Sequence, residues 1–479
     1  MFGFKRLRNA SVSVKATLAF GIASFAVSGI NYITTPIFTR ILSTTDYGII
    51  SVYNSWYEII RVFATMTLIF PGILQVGLYE HSDNRWKYLS SMQGVITVTT
   101  CILAFIYLLF HETIDGLIGL GPSLMGLMFL VCIFQSATTL WTTKQRYEYN
   151  YKITILITIG SAVFAQIVAI TAVLVMRHNP DSNLANVRLW SSGAINILVG
   201  TALFLYILSK GRTPVDFPLW KATIIVAVPL IPHYLSSVIL HSTDKIMISQ
   251  MVGTDKAGIY SLAATLSSLG VLFWRALSTT FSPFINSKLG ERKFKDINDS
   301  VLPLLTIVGL TCILGALAAP EIIRILATKE YLKGIYVIPP IVIGIFLHAL
   351  YDVFSAVAFF HKKSTRIMVA SVVAATSNLV LNYIYIKRFG FIAAGYTTMA
   401  SNLILTTMHY FNMRKIEPEK IYDLRFVLLS VAVVSLGCLA CNLLYQANNI
   451  IRYILIVVIL VTIFNQRKKV VTAINNMKV

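Results

Sequence analysis

Apolar residues in this chain come in long runs, not in the short alternation of strands or the one-sided stripe of a surface helix. A membrane helix needs about 20 mostly apolar residues. Fourteen runs have that character: 16–38, 48–70, 89–110, 121–141, 153–176, 189–208, 222–249, 258–285, 301–319, 335–360, 367–386, 391–411, 426–446 and 450–465. The connections are short, and the longest outward one, near 321–334, has about fourteen residues. The pattern predicts an all-α polytopic membrane protein with about 14 transmembrane helices and no soluble domain. The first run is too long for a cleaved signal peptide, and no small-residue cleavage site follows it. Pro229 and Pro232 sit early in the seventh run and are expected to break its hydrogen-bond ladder.

Composition supports this picture. Of 479 residues, 56% are hydrophobic and 13% charged, with a mean hydropathy of +0.73. Soluble chains carry roughly 25% charged residues. The shortfall excludes an ordinary soluble protein and a disordered chain. It also counts against a nucleic-acid partner despite the net charge of +20. Basic residues instead follow topology. With a cytoplasmic N-terminus, the inner segments hold 27 Lys and Arg and the outer ends 11, while Arg61 and Arg275 fall inside spans. Both termini are therefore expected in the cytoplasm. No G-x-x-x-x-G-K-[ST] phosphate loop occurs, so ATP-driven pumping by this chain is not expected. Cys101, Cys132, Cys312, Cys438 and Cys441 all lie in apolar runs, as small buried residues do. No metal site or disulfide framework is readable from them.

Two segments look alike. Arg40–Ser51 reads RILSTTDYGIIS and Gln250–Ser261 reads QMVGTDKAGIYS, aligning without gaps at an offset of 210. Each joins the first two helices of a group of six. An even number of helices per repeat keeps both copies in one orientation, as in parallel-repeat transporters. The expected organisation is two six-helix lobes, 1–212 and 213–416, with an extra helix pair and tail at 417–479.

Polar residues inside spans recur at helical spacing and mark inward faces. The stripes are Ser24, Ser28, Asn31 and Thr35; Asn54, Glu58, Arg61 and Thr65; His233, Ser237, His241 and Asp244; Ser261, Thr265, Ser268 and Arg275; and His348, Asp352 and Ser355. An arginine at the centre of a span costs about 2.5–3.5 kcal/mol even on lenient scales. Glu58 can offset part of that for Arg61 at i,i+3. Arg275 has no carboxylate on its own helix. Either the arginines close inter-helix salt bridges, with Asp352 or Asp244 as the second acid, or they wall a cationic cavity for an anionic head group. Glu58, Asp244, Asp352, His233 and His348 are candidates for sensing Na⁺ or H⁺, and each is also readable as a polar contact between helices.

The run Pro36–Gly48, PIFTRILSTTDYG, resembles the first-loop motif of Wzx-type lipid-linked oligosaccharide flippases. These are polysaccharide transporters of the multidrug/oligosaccharidyl-lipid/polysaccharide (MOP) superfamily. The stretch Val228–Pro232, then Asp244-Lys245 and Gly258–Ser261, is similar to their seventh-helix region. So are Asn378–Tyr383 and Phe389–Gly395. The resemblance covers nearly the whole chain in order and helix count. It implies a two-lobed, MATE-like bundle in a bacterial inner membrane that flips an undecaprenyl-pyrophosphate-linked glycan for O-antigen or other surface-polysaccharide assembly. Related lipid II flippases carry cavity arginines on helices two and eight, similar to Arg61 and Arg275. They carry a further basic residue on helix one, and none falls within 16–38 here. On this reading Arg61 and Arg275 bind pyrophosphate, and Asn31, Tyr53, Tyr57 and Trp274 contact sugars. The implied partners are the lipid-linked oligosaccharide, membrane lipids, and a glycan polymerase and chain-length regulator. No cofactor beyond a coupling Na⁺ or H⁺ is implied. Two other functions compete: a cation-coupled multidrug extruder of the same superfamily, and a membrane glycan polymerase or ligase. The latter needs a large outward loop.

Overall fold

The computed structural model describes residues 12–447 and 449–477. Its contacts divide the chain into two units, Met1–Leu235 and Ser236–Val479.

In the first unit α1 (Val12–Ile41) meets α2 (Thr44–Ala64) through Leu42 and Ser43. Ser43 caps α2 reciprocally: its hydroxyl accepts from the Asp46 amide at 3.0 Å, and the Asp46 carboxylate accepts from the Ser43 amide at 3.1 Å. The second run was expected to continue to residue 70, but α2 ends at Ala64. Met66 and Thr67 take left-handed backbone angles, φ 48° and 60°, and Thr99 donates to the Ala64 carbonyl at 2.5 Å. The helix restarts as α3 (Pro71–Glu80), with Pro71 at its first position, where no amide is needed. Then come α4 (Arg85–Leu109), α5 (His111–Ile118), α6 (Pro122–Tyr147), α7 (Tyr151–Met176), α8 (Leu184–Gly211) and α9 (Phe217–Ala227). α8 packs against α4, α6 and α7, and α1 against α7. Small residues permit the approach: a Cβ on Gly200 would overlap the Phe134 carbonyl, and one on Gly94 the Pro214 carbonyl.

The stretch 213–235, expected with the second lobe, packs in the first unit instead. The Trp220 indole donates to the Ser91 carbonyl at 3.1 Å, Thr67 donates to the Ala227 carbonyl at 3.3 Å, and Tyr234 stacks on Phe70 at 4.1 Å. The unit boundary thus falls inside the seventh span. The prolines interrupt that span as expected, with a 3-10 turn at Val228–Leu230 between α9 and α10 (Ile231–Met251).

The second unit continues with α11 (Thr254–Ser267), α12 (Leu269–Gly290), α13 (Phe294–Leu317) and α14 (Ala319–Leu326). A 3-10 helix over Lys329–Val337 occupies the long outward connection. After it come α15 (Ile338–Phe360), α16 (Ser364–Phe389), α17 (Ile392–Ile416), α18 (Leu424–Leu444) and α19 (Asn449–Asn476). The eighth run was expected to be unbroken, but it divides at Ser268, whose amide donates to both Ala264 and Thr265 carbonyls at 3.0 and 3.2 Å. α15 packs against α17 and α13, and the final pair packs on α13 and α15. That pair is pinned by polar contacts: Arg452, only 1% exposed, pairs with Glu321, and the Tyr445 hydroxyl donates to the Ala316 carbonyl at 2.5 Å.

The repeat is visible in the element boundaries. α1 ends at Ile41 and α2 starts at Thr44; α10 ends at Met251 and α11 starts at Thr254, each 210 residues later. Among the described residues eleven helical segments are long and apolar enough to cross a membrane. The runs 16–38, 48–70 and 391–411 are largely helical too but are not in that set. Helices such as α7 and α19 keep large apolar side chains exposed, including Leu156, Phe164, Ile454 and Val461, as lipid-facing helices do.

Candidate functional site

Each unit holds its own polar pocket. In the first, α2 presents Tyr53, Asn54, Tyr57 and Glu58 along one face. With Gln135 of α6 and Arg188, Ser192 and Asn196 of α8 they line a cavity of about 260 Å³. The i,i+3 spacing of Glu58 and Arg61 closes an ion pair at 2.5 Å. The two side chains are 38% and 27% exposed, so the pair is partly solvated and individually weak. The Arg61 guanidinium lies 5.8 Å from the Tyr57 ring and 5.7 Å from the Phe70 ring. The Tyr57 hydroxyl donates to Gln135 Oε1 at 3.0 Å.

Tyr53 is 5% exposed and reaches the pocket wall from the apolar core around Phe38 and Leu127. Asn31 is exposed and accepts from Gln166 Nε2 at 3.1 Å. It does not line the Tyr57–Glu58 pocket. His233 packs beside Tyr234 and lines neither unit's polar pocket. Arg188, counted at an outer span end, was missed as a pocket residue. It sits over the Phe38 ring at 4.3 Å.

In the second unit His241, Asp244 and Lys245 of α10 face Tyr260 and Thr265 of α11, Arg275 of α12, His348 of α15 and Thr398 of α17. The cavity they line measures about 400 Å³. Asp244 is 3% exposed. Neutral donors hold its carboxylate: the Tyr260 hydroxyl at 2.5 Å, Asn382 Nδ2 at 2.6 Å and the Thr398 hydroxyl at 2.6 Å. Asn382 in turn donates to Asn378 Oδ1 at 3.1 Å and accepts from Thr397. Hydroxyl and amide donors satisfy this buried carboxylate without supplying a counter-charge.

Of the two alternatives for Arg275, the salt bridge to Asp352 or Asp244 does not form among the described residues. Trp274 takes Asp352 instead, its indole donating at 2.7 Å, and the neutral cradle takes Asp244. Trp274 is 2% exposed and packs on Phe281, so it positions Asp352 and offers no stacking face. Arg275 is exposed, with no carboxylate within 4.0 Å among the described residues. It lies within electrostatic reach of His241, His348 and Asp352. The His241 and His348 rings are 5.7 Å apart, edge to face. The second pocket therefore gathers basic side chains around one partner-free guanidinium, which can receive an anion through two parallel hydrogen bonds.

Residues 13–287 match the family of polysaccharide biosynthesis proteins. Residues 229–384 match the MatE family. No curated protein sequence matches the chain. Among solved structures, the chain is similar to the lipid II flippase MurJ in an inward closed conformation, at 16% identity and TM-score 0.65, over 93% of this chain and 98% of that one. It is also similar to an inward-facing multidrug resistance MATE family transporter of the MOP superfamily, at 12% identity and TM-score 0.60, over 84% of this chain and 98% of that one. An outward-facing structure of such a transporter gives TM-score 0.53 at 12% identity. The first family match spans more than half of the sequence, so the chain belongs to the polysaccharide biosynthesis protein family and is a multi-pass membrane protein that shares its fold with the MurJ and MATE transporter structures.

Proposed function

We propose that the protein flips an undecaprenyl-pyrophosphate-linked oligosaccharide across the bacterial inner membrane by alternating access, supplying repeat units for surface polysaccharide. One observation carries the reading: Arg275 is an intramembrane guanidinium with no carboxylate within 4.0 Å among the described residues, in the wall of a polar cavity shared with His241, Asp244, Lys245 and His348. Leaving such a charge in a span costs about 2.5–3.5 kcal/mol. An anionic head group that visits the cavity offsets that cost and gives the charge a purpose. Arg61 plays the lesser part, because Glu58 already neutralises it.

Ion coupling is assigned to Asp244, a carboxylate of α10 held by neutral donors on α11, α16 and α17. A proton or Na⁺ arriving there removes a buried negative charge and biases the conformational cycle. A multidrug extruder favours acids in its binding cavity for cationic drugs, whereas basic groups crowd this one. The test is surface glycan in cells whose own flippase is deleted. Arg275→Ala should lower it by about tenfold or more, the worth of a charge-assisted hydrogen bond, and Arg275→Lys should restore part. Normal glycan with Arg275→Ala, or drug resistance conferred by the wild type, would overturn the reading.

A further inference from the structure

We propose that the second unit carries a separate binding site for a phosphate-bearing anion, in the cavity bounded by α13, α17 and the linker into α18. The cavity measures about 560 Å³, within the usual range for small-molecule sites. Lys295, Arg414, Lys420 and Arg425 surround it, against the single carboxylate of Asp423. Lys295, Lys420 and Arg425 have no carboxylate within 4.0 Å among the described residues.

The linker does contain acids, but they are drawn elsewhere. Arg292 holds Glu417 at 3.4 Å and Glu419 at 2.5 Å. Asp423 is spent on backbone: its Oδ1 accepts from the Arg425 amide at 3.0 Å, capping α18. Its own amide donates to Asn298 Oδ1 at 3.0 Å, which ties the linker to α13. Arg414 secures the other end by donating to the carbonyls of Pro418 at 2.6 Å and Glu419 at 3.0 Å. The floor is aromatic and fixed, with Tyr410 and Tyr422 packed on Phe354 at 5.5 and 5.8 Å.

A shaped cavity with a rigid floor, a pinned linker and an excess of cations is what recognition of a phosphate group requires. Basic residues at this end of the lobe agree with the cytoplasmic assignment from the Lys and Arg count. That rule explains their sign and side. It does not explain their convergence on one cavity from which the neighbouring glutamates are withheld. The chemistry fits an anionic phospholipid headgroup or a soluble phosphate compound. The site is independent of the transport reading, since it shares no residue with either polar pocket.

The test uses full-length protein and the triple variant Lys295→Gln/Lys420→Gln/Arg425→Gln, leaving Arg414 in place to hold the linker. Lys362→Gln/Lys363→Gln/Arg366→Gln removes the same charge from the exposed α15–α16 turn and the first turn of α16, and serves as the control. One arm counts phosphatidylglycerol retained from phosphatidylcholine nanodiscs by native mass spectrometry. The other titrates inorganic pyrophosphate in detergent by calorimetry. Each cation near an anionic surface is worth about fivefold in affinity, so the triple variant should lose ~100-fold and each single variant about fivefold. Loss in the lipid arm identifies a headgroup site, and loss in the pyrophosphate arm alone identifies a soluble ligand. The proposal fails if neither probe binds the wild type more tightly than the triple variant, or if the control loses as much.

Discussion

In the first unit the membrane arginine carries its counter-charge on its own helix: Glu58 and Arg61, one turn apart, meet at 2.5 Å. In the second unit the charges are kept apart. Asp244 is sealed among hydroxyls and amides, Asp352 is held by Trp274, and Arg275 makes no ion pair within 4.0 Å among the described residues. The two halves share a repeat, and the α1–α2 and α10–α11 junctions keep their spacing. At that offset Arg275 corresponds to Thr65, not to Arg61. The arginines are therefore not copies of one position. A self-neutralised pair needs no ligand, whereas separated charges of opposite sign can each take a partner. The repeat supplies two similar scaffolds, and on the proposed reading the second is the one that exchanges ions.

Substitutions at the two acids break this comparison most sharply. Asp244→Leu strands three buried donors, each costing about 1–3 kcal/mol, so thermal unfolding of the purified protein should show a loss of about 3 kcal/mol or more. Glu58→Gln should cost no more than about 1 kcal/mol, because that pair is partly exposed. Equal losses would show that both acids are held alike. Helix contacts sharpen it next. Gly200→Ala drives a methyl into the Phe134 backbone carbonyl, whereas at Gly309 the nearest atom belongs to the movable Val434 side chain. The first should destabilise by about 1–3 kcal/mol and the second by less, measured by the same melts.

The smallest effect is expected at Glu291, in the connection between α12 and α13. Lys293 and Lys288 hold its carboxyl down to about 2. Because the folded value lies below the ordinary one near 4.5, the contribution is present at neutral pH and disappears as pH falls from about 4.5 toward 2. The group is fully exposed, so Glu291→Gln should leave the melting temperature at pH 7 unchanged within error. A clear drop would mean that this turn stabilises the second unit.

Much of the architecture was legible because long apolar runs and basic inner loops are direct consequences of a lipid environment. The Glu58–Arg61 pair was legible too, since one helix fixes its geometry. The break after α2 was not, although Pro71-Gly72 signalled it, because residues 65–70 kept the run apolar. The partners of Asp244 were unreadable for another reason. Asn382 and Thr398 reach it across 138 and 154 residues, and no local spacing encodes such contacts. The Trp274–Asp352 contact was equally unreadable, because it joins two helices across 78 residues.

The most direct measurement is flipping of a fluorescent undecaprenyl-pyrophosphate-linked oligosaccharide in proteoliposomes containing wild-type protein, Arg275→Ala or Arg61→Ala. The account predicts a fall of about tenfold or more for Arg275→Ala and a smaller one for Arg61→Ala. Wild-type flipping by Arg275→Ala would contradict it.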